Sequence, residues 1–165
     1  MAVIEAIATT YLEANTASVT FSSIPATYEH LELRMSVMND VTGSAYYYFR
    51  LNSDTSSVYS NQRMTGTSST VVGASSAGQS YLMAQYLPTI DEGAANYGVL
   101  VATYLDYANA NKNTTVLWTN GSVIPATSVG ISVWDDTEAV DEILIYCDNE
   151  WQRGSSFTLY GLNSA

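Results

Sequence analysis

The sequence predicts an all-β protein, a two-sheet β-sandwich with jelly-roll-like topology. Short runs rich in Val, Ile, Thr, Tyr and Phe alternate apolar with polar residues, and clusters of Gly, Asn, Asp and Ser separate them. No segment has the apolar spacing of a long amphipathic helix. No repeat of about 20–50 residues is detectable, which favours a sandwich over a propeller or a solenoid.

The length predicts one domain. A chain of 165 residues buries about two thirds of its unfolded surface in a single core. We therefore expect one sandwich over residues 1–165, in which residues 1–12 form either an N-terminal arm or the first strand.

Strand patterns recur along the whole chain. In His30–Met38, period-two alternation puts Leu31, Leu33 and Met35 on one face and polar residues on the other. The predicted strands are Ala6–Leu12, Ser18–Phe21, His30–Met38, Ala45–Asn52, Val58–Met64, Ser80–Leu87, Tyr97–Tyr107, Thr114–Thr119, Val129–Trp134, Glu142–Cys147 and Ser156–Gly161.

Turn signals separate these strands. Asn120-Gly121 suits a tight hairpin turn, Asn109–Asn113 predicts another turn, and Pro25 ends a strand because proline cannot donate to the ladder. Thr65–Ser80 is rich in serine and glycine and has no large side chains to anchor it. We therefore predict a long flexible loop there.

The net charge restricts the classes of partner that the chain can bind. Five Lys and Arg against 16 Asp and Glu give a net charge of -11, so the long-range field repels phosphate backbones and anionic membranes. We expect neither nucleic acid nor membrane as a partner. The acidity serves solubility, and it also suits a basic partner surface.

Residues suited to catalysis are few. His30 is the one histidine and lies on the polar side of its strand, while Cys147 lies in the most apolar strand, where a buried thiol is inert. Nucleophile-elbow and phosphate-loop motifs are absent. The sequence therefore predicts no catalytic residue, no cofactor and no enzymatic activity.

One acidic segment contains side chains of the type that bind metal ions. Asp135, Asp136, Glu138, Asp141 and Glu142 provide the oxygen ligands that calcium prefers, but their spacing fits no EF-hand loop. A solvated acidic turn is the favoured interpretation. No metal site is predicted, and calcium binding here stays an open alternative.

Three strands are apolar on both faces, although a sandwich buries one face of each strand. Their outer faces are expected to meet another subunit, because monomers rarely leave large apolar patches in water. The chain is thus predicted to form a homo-oligomer, with a trimer favoured over a dimer. The predicted interface residues are Tyr46, Tyr48, Val99, Val101, Leu144 and Tyr146.

The three tryptophans allow a second interpretation. Trp118, Trp134 and Trp151, with the many tyrosines, suit a sugar-stacking platform, and they suit a core or a subunit interface equally well.

Three runs carry a resemblance to a known class of proteins. Ile7-Ala-Thr-Thr-Tyr-Leu12, Val19–Arg34 and Ser156–Leu162 resemble segments of small structural proteins of tailed phages, especially those infecting cyanobacteria. The resemblance covers about a quarter of the chain. It implies a jelly-roll-like sandwich on the virion, with no catalytic residues to carry over.

The resemblance implies two alternative placements. One is a capsid decoration or cement protein that oligomerises on the outer capsid surface, binds the major capsid protein and stabilises the shell. The other is a tail- or fibre-associated module that binds a receptor or glycan. The absence of coiled-coil heptads favours the first. The expected docking segment is residues 1–12 or a loop, and the expected site of synthesis is the host cytoplasm.

Overall fold

The structure is a computed structural model that describes residues 3–42, 45–87, 96–122 and 126–164. Strands account for most of the described residues. They are β1 (Val3–Tyr11), β2 (Thr16–Phe21), β3 (His30–Val37), β4 (Ala45–Leu51), β5 (Tyr59–Gly66), β6 (Val71–Gln79), β7 (Leu82–Leu87), β8 (Gly98–Leu105), β9 (Thr114–Gly121), β10 (Thr127–Trp134), β11 (Ile143–Trp151) and β12 (Ser156–Asn163). Among the described residues, no helix is long and apolar enough to cross a membrane.

The strands form two antiparallel sheets. The large sheet has the order β1-β12-β3-β8-β9-β10-β5-β6, and the small sheet has the order β2-β11-β4-β7. Most connections pass from one sheet to the other, as in a jelly roll. The predicted fold class, an all-β two-sheet sandwich, is confirmed.

The core lies between the sheets and follows the period-two alternation of the strands. Leu31, Leu33 and Val37 of β3 are fully buried, and Tyr47 and Leu51 of β4 face them from the small sheet. Alternate residues of each strand point to opposite faces. The sequence pattern therefore decides which side chains of these strands form the core.

All eleven predicted strands are present at matching positions. The first residues are part of the large sheet, because β1 pairs with β12 from Val3↔Asn163 to Tyr11↔Ser156. Of the two alternatives for the N-terminus, residues 3–11 therefore form a strand rather than an arm. The chain leaves β2 at Phe21, before Pro25, and it turns between Asp106 and Lys112, as expected.

The predicted flexible loop Thr65–Ser80 is wrong. Thr67 N–H donates to the Thr70 carbonyl oxygen at 2.8 Å and closes a hairpin, after which β6 pairs with β5 from Gly66↔Val71 onward. A ladder of backbone hydrogen bonds needs no large side chains, so a run of glycine, alanine and serine can still be a strand at the edge of a sheet.

The predicted turn at Asn120-Gly121 is also wrong. Asn120 pairs with Leu100 and Ser128, and Gly121 pairs with Val99 and Thr127, so both residues lie inside β9. The ladder between β9 and β10 extends to the pair Gly121↔Thr127, and beyond it the Ser122 N–H donates to the Ala126 carbonyl oxygen at 3.3 Å. Pairing on both sides of β9 takes precedence over the local turn preference.

Candidate interaction surfaces

His30 is hydrogen-bonded to the turn that follows β8. Its Nδ1 atom accepts a hydrogen bond from the Asp106 backbone N–H at 3.0 Å, and the Asp106 carboxylate lies 3.4 Å away. Lys112 hydrogen-bonds to the same carboxylate. In the described residues no hydrogen bond joins His30 to a serine, threonine or cysteine, so the pairing that nucleophilic catalysis uses is not assembled there.

Cys147 is buried on the inner face of β11. Burial raises the pKa of its thiol to about 12. The thiol is therefore protonated at neutral pH and is a poor nucleophile.

The acidic segment, residues 135–142, is spread out rather than convergent. Asp135 accepts a hydrogen bond from Asn113 Nδ2 at 2.5 Å, Asp136 accepts one from the Glu138 N–H at 2.8 Å, and Glu142 accepts one from the Ser53 hydroxyl. Within the ranges that the structure describes, no three His, Cys, Asp or Glu side chains are placed to hold a metal ion.

The six predicted interface residues lie on two opposite sides of the sandwich. Tyr46 and Tyr48 of β4 and Leu144 and Tyr146 of β11 point away from the core on the small sheet, whereas Val99 and Val101 of β8 point outward from the large sheet. The three two-faced strands belong to different sheets. The six residues therefore do not form one continuous patch on a single chain, and their part in an interface stays a prediction.

On the small sheet, aromatic side chains form a group that we call the tyrosine cluster: Tyr48, Tyr81, Tyr146, Arg50 and Asp148. The rings of Tyr48 and Tyr146 stack at 5.1 Å, and Tyr81 meets Tyr48 edge-on at 4.7 Å. The Arg50 guanidinium lies 5.0 Å from the centre of the Tyr146 ring, within cation–π range.

Polar contacts fix the tyrosine cluster in place. The Tyr48 hydroxyl donates to Asp148 Oδ1 at 2.7 Å, and the Tyr46 backbone N–H donates to Asp148 Oδ2 at 2.8 Å. Burial and the adjacent Asp148 raise the pKa of Tyr48, so its hydroxyl stays protonated. The cluster combines flat rings, a cation and a carboxylate, the groups that recognise neutral polyols and peptide surfaces.

All three tryptophans are core residues. Trp118, Trp134 and Trp151 are buried, and Trp134 Nε1 donates to Asp54 Oδ2 at 2.9 Å. A sugar-stacking ring needs an exposed face. The interpretation of these tryptophans as a sugar platform is therefore wrong, and the core alternative is correct.

Strand β10 buries its serines and exposes its aliphatic side chains. Ser128 and Ser132 point inward and are each 1% exposed, whereas Val129 and Ile131 point outward and are 48% and 39% exposed. The usual alternation for a strand with one solvated face is apolar inside and polar outside. A shift of one residue in register would restore that alternation, so contacts on the inner side must hold the observed register.

Those contacts form a buried polar network centred on Trp118. Its Nε1 atom donates to Ser132 Oγ at 3.1 Å, and Ser132 Oγ donates to Asn61 Oδ1 at 2.9 Å. The indole ring lies across Gly130, where a Cβ atom would overlap it. Gly130 and Ser132 must therefore point inward, and Val129 and Ile131 are forced outward.

The outward residues of β5, β6, β8, β9 and β10 form one continuous surface, which we call the aliphatic face. Its exposed apolar members are Met64, Val71, Val99, Leu117, Val129 and Ile131. Five of them lie close together, because Ile131 pairs with Leu117 and Val129 with Met64, and Val71 lies on the adjacent strand. Around them is a shallow depression of about 600 Å³.

The aliphatic face carries no charge. The outward residues of its five strands, all within the described ranges, are apolar, threonine, serine, glutamine or glycine. Arg63 of β5 alternates to the inner side. The charged side chains of this sheet start one strand further on, where Arg34 of β3 pairs with Glu32 at 2.7 Å.

Sequence reasoning missed most of this face. Of the apolar residues on the aliphatic face, the sequence pattern identified Val99 and the half-buried Val101. The available signal was the alternation of Val129, Ile131 and Val133 with Ser128, Gly130 and Ser132, which shows that one face of β10 is apolar but not which one points outward. The position of Trp118 decides that, and a neighbouring strand's ring is not visible in the local pattern.

No protein-family model matches the sequence, and no curated protein matches it. Among solved structures, the chain is similar to the galectin LEC-6 of Caenorhabditis elegans, with 8% identity over 94% of this chain and 96% of that one, at a TM-score of 0.38. It is also similar to the CBM2 module of the evolved Dit of Lactobacillus casei BL23 phage J-1, with 11% identity over 90% and 69% and a TM-score of 0.30. The alginate lyase Aly36B gives 8% identity over 88% and 78%, at a TM-score of 0.28.

Proposed function

We propose that this protein is a non-enzymatic structural module that associates with copies of itself through the aliphatic face. The observation that supports this most directly is strand β10, which exposes Val129 and Ile131 while it buries Ser128 and Ser132. An apolar, continuous face on a protein in water is typical of an interaction surface.

The net negative charge of the chain favours a second copy of the same chain as the partner of the aliphatic face. Two chains that each carry a net charge of -11 repel one another wherever acidic surfaces meet. The outward side chains of the aliphatic face are uncharged, so two copies can meet there without placing like carboxylates opposite one another; Arg63, whose side chain starts on the inner side of β5, is the charged residue that lines its depression.

The area of the face is adequate for a stable pair. Strand spacing and rise assign about 33 Å² of flat sheet to each outward residue, so five strands present roughly 600 Å². Two copies then bury about 1,200 Å², which reaches the range of specific protein–protein interfaces. A face that meets its own copy is related to it by a twofold axis. We therefore propose a dimer as the unit in place of the trimer expected from the sequence.

The biological setting that we propose is the outer surface of a phage capsid, where the protein acts as a decoration or cement protein on the major capsid protein. The resemblance of Val19–Arg34 and Ser156–Leu162 to tailed-phage structural proteins supports this placement. The acidic side chains of residues 135–142 lie outside the strands of the aliphatic face, and most of them are exposed, so they stay available to a basic shell surface. Many simultaneous weak contacts would hold such a protein on the shell without chemistry.

Light scattering on matched variants tests the self-association. We expect the wild-type chain at about 100 µM to have at least twice its monomer mass of 17.9 kDa and Val129→Glu to return it to the monomer, because two like charges would face one another across the axis. Val3→Glu is the control, since Val3 is also exposed on this sheet but lies in β1 at its opposite edge. A monomeric wild type contradicts the proposal.

A second candidate function is glycan or receptor binding at the tyrosine cluster. The observation in its favour is that Tyr48, Tyr81 and Tyr146 are half-buried rings on an outer sheet face, beside Arg50 and Asp148. Ring faces next to a few convergent polar groups are typical of small-ligand sites.

A glycan array separates the two candidates. The glycan module predicts retention of a defined sugar by the wild type and loss of retention in Tyr146→Ala, with no effect of Val129→Glu. The structural module predicts the reverse dependence, in which Tyr146→Ala keeps the oligomer and Val129→Glu loses it.

A further inference from the structure

Strand β6 forms an edge of the large sheet that is not protected against pairing. It has nine residues, pairs with β5 on one side, and has no strand paired to its other side among the described residues. Proteins usually shield such edges with charges, prolines or bulges. Residues 67–79 contain neither a charged residue nor a proline. The pairing with β5 is regular from Val71 to Ser76, and the register shifts only beyond that, between Ser76 and Gln79.

β6 also buries none of its own side chains. Each of its residues is exposed or half-buried, and Val71 and Val72 are 70% and 56% exposed on opposite faces of the strand. A strand held by one ladder, with apolar side chains in water on both faces, gains stability when a further strand is added beside it.

Two of the other edge strands, β1 and β2, are better protected. β1 carries Glu5 and a bulge between Ala6 and Ala8. β2 is uncharged, but it buries Val19 and Phe21, and its register with β11 shifts beyond Tyr146. The regular, uncharged stretch of β6 is therefore longer than that of β1 or β2.

We infer that β6 pairs antiparallel with the β6 strand of a second copy, centred near Ala74, and so joins two large sheets into one continuous sheet. Antiparallel pairing about Ala74 places Gly73 opposite Ser75 and Val72 opposite Ser76 of the partner strand. These side chains are small and neutral, so two acidic chains can approach closely along this edge. The contact is isologous, as in most homodimers.

The inference rests on the proposed self-association and adds a second contact to it. The free hydrogen-bonding groups of β6 point outward in the plane of the sheet, whereas the side chains of the aliphatic face point along its normal, so an edge contact and a face contact can form on the same chain at the same time. Two different twofold contacts on one chain allow assembly beyond a dimer, as a protein that covers a surface requires.

Cysteine scanning along β6 tests the edge contact. Single cysteines replace Val72, Gly73, Ala74, Ser75 and Ser76 in turn, and the purified full chains are oxidised mildly and analysed on a non-reducing gel. The wild type is the control, because its Cys147 is buried. On a twofold axis one residue lies opposite its own copy, with Cα atoms about 4.5–5.5 Å apart, within reach of a disulfide. Its neighbours lie about 8 Å or more from their copies, too far to bridge.

We expect one position to cross-link at least tenfold more than both of its neighbours. Equal cross-linking at all five positions indicates random collision and overturns the inference. The absence of cross-links in a chain that light scattering shows to be oligomeric overturns the inference alone. The absence of cross-links in a monomeric chain overturns the proposed self-association as well.

Discussion

Gly130 determines which face of β10 is exposed on the large sheet. A Cβ atom at this position would overlap the Trp118 ring and lie 2.8 Å from the Gln62 carbonyl oxygen. The indole therefore lies flat over the backbone of β10, and its N–H reaches Ser132. The absence of one side chain thus determines where a tryptophan packs and, through it, which side of β10 faces water.

We predict that Gly130→Ala destabilises the fold by about 1–3 kcal/mol, the usual cost of overpacking a core. Gly66→Ala is the matched control, because its nearest neighbour would be the Thr127 carbonyl oxygen at 3.9 Å, an ordinary contact. Denaturant unfolding measures both variants. Equal stability of the two would show that Trp118 can move at no cost.

Asp54 links a surface turn to the core. Its carboxylate accepts hydrogen bonds from the Ser56 N–H at 2.8 Å and from Trp134 Nε1 at 2.9 Å. Hydrogen bonds from Ser56 and from the Trp134 indole lower the pKa of Asp54. A carboxyl whose pKa is lowered in the folded state stabilises the fold above its unfolded pKa, and this contribution is lost as the pH falls through the folded pKa.

We predict that Asp54→Ala costs about 1–3 kcal/mol at pH 7, because the buried indole N–H loses a charged acceptor. The difference from wild type should persist at pH 5–8 and shrink below about pH 4, where Asp54 of the unfolded chain is protonated first and the folded carboxylate follows at lower pH. Unfolding followed by tryptophan fluorescence at several pH values measures it. Asp136→Ala is the control, since Asp136 also caps a turn but contacts no tryptophan in the described structure. A constant difference down to pH 2 would contradict the linkage.

At the scale of an element, β10 shows that polar contacts can determine which face of a strand is buried. Besides Trp134, its inner side chains are serines, and they are satisfied by specific partners: Ser132 by Trp118 and Asn61, and Ser128 by Thr65 at 2.9 Å. Buried polar groups are tolerated when each has a partner. The network holds the register that places Val129 and Ile131 outside.

We predict that Ser132→Ala lowers the free energy of unfolding by about 1–3 kcal/mol, although alanine is the more apolar residue in a buried position. The change leaves the Trp118 N–H and the Asn61 side chain without their shared partner, and an unsatisfied buried polar group carries that cost. Ser60→Ala, at an exposed outward position of β5, should change stability by less than about 0.5 kcal/mol. Thermal or urea unfolding compares the two, and a neutral Ser132→Ala would mean that water replaces the hydroxyl.

At the scale of the molecule, charge and apolar surface are segregated. The net charge of -11 is carried outside the aliphatic face, while that face is neutral. Association through a neutral face of an acidic protein is opposed by long-range repulsion, and salt screens that repulsion within a Debye length of about 8–10 Å near physiological ionic strength.

We therefore predict that self-association strengthens with salt, with the dissociation constant falling by roughly threefold or more between 0.05 and 0.5 M NaCl. It should also strengthen as the pH approaches the isoelectric point of about 4.1. Sedimentation velocity across a concentration series measures both trends, with Val129→Glu as the non-associating reference. Weaker association at high salt would indicate that ion pairs, and not the aliphatic face, hold the copies together.

The sequence by itself determined the fold class, eleven of the twelve strands and the buried face of strands such as β3. Period-two alternation is a local property, and in strands such as β3 it alone specifies the buried face. It also identified Tyr48, Tyr146 and Val99 as outward apolar residues.

Tertiary structure alone decided the rest, for one physical reason: pairing and facing are relations between distant strands. β6 is a strand because β5 supplies a ladder, Asn120-Gly121 is not a turn because β8 and β10 pair with it, and β10 faces outward because Trp118 lies over Gly130. The six predicted interface residues divide between two faces because the chain assigns β8 to one sheet and β4 and β11 to the other. A local pattern shows that a strand has an apolar side, and the opposing layer decides whether that side meets the core or a partner.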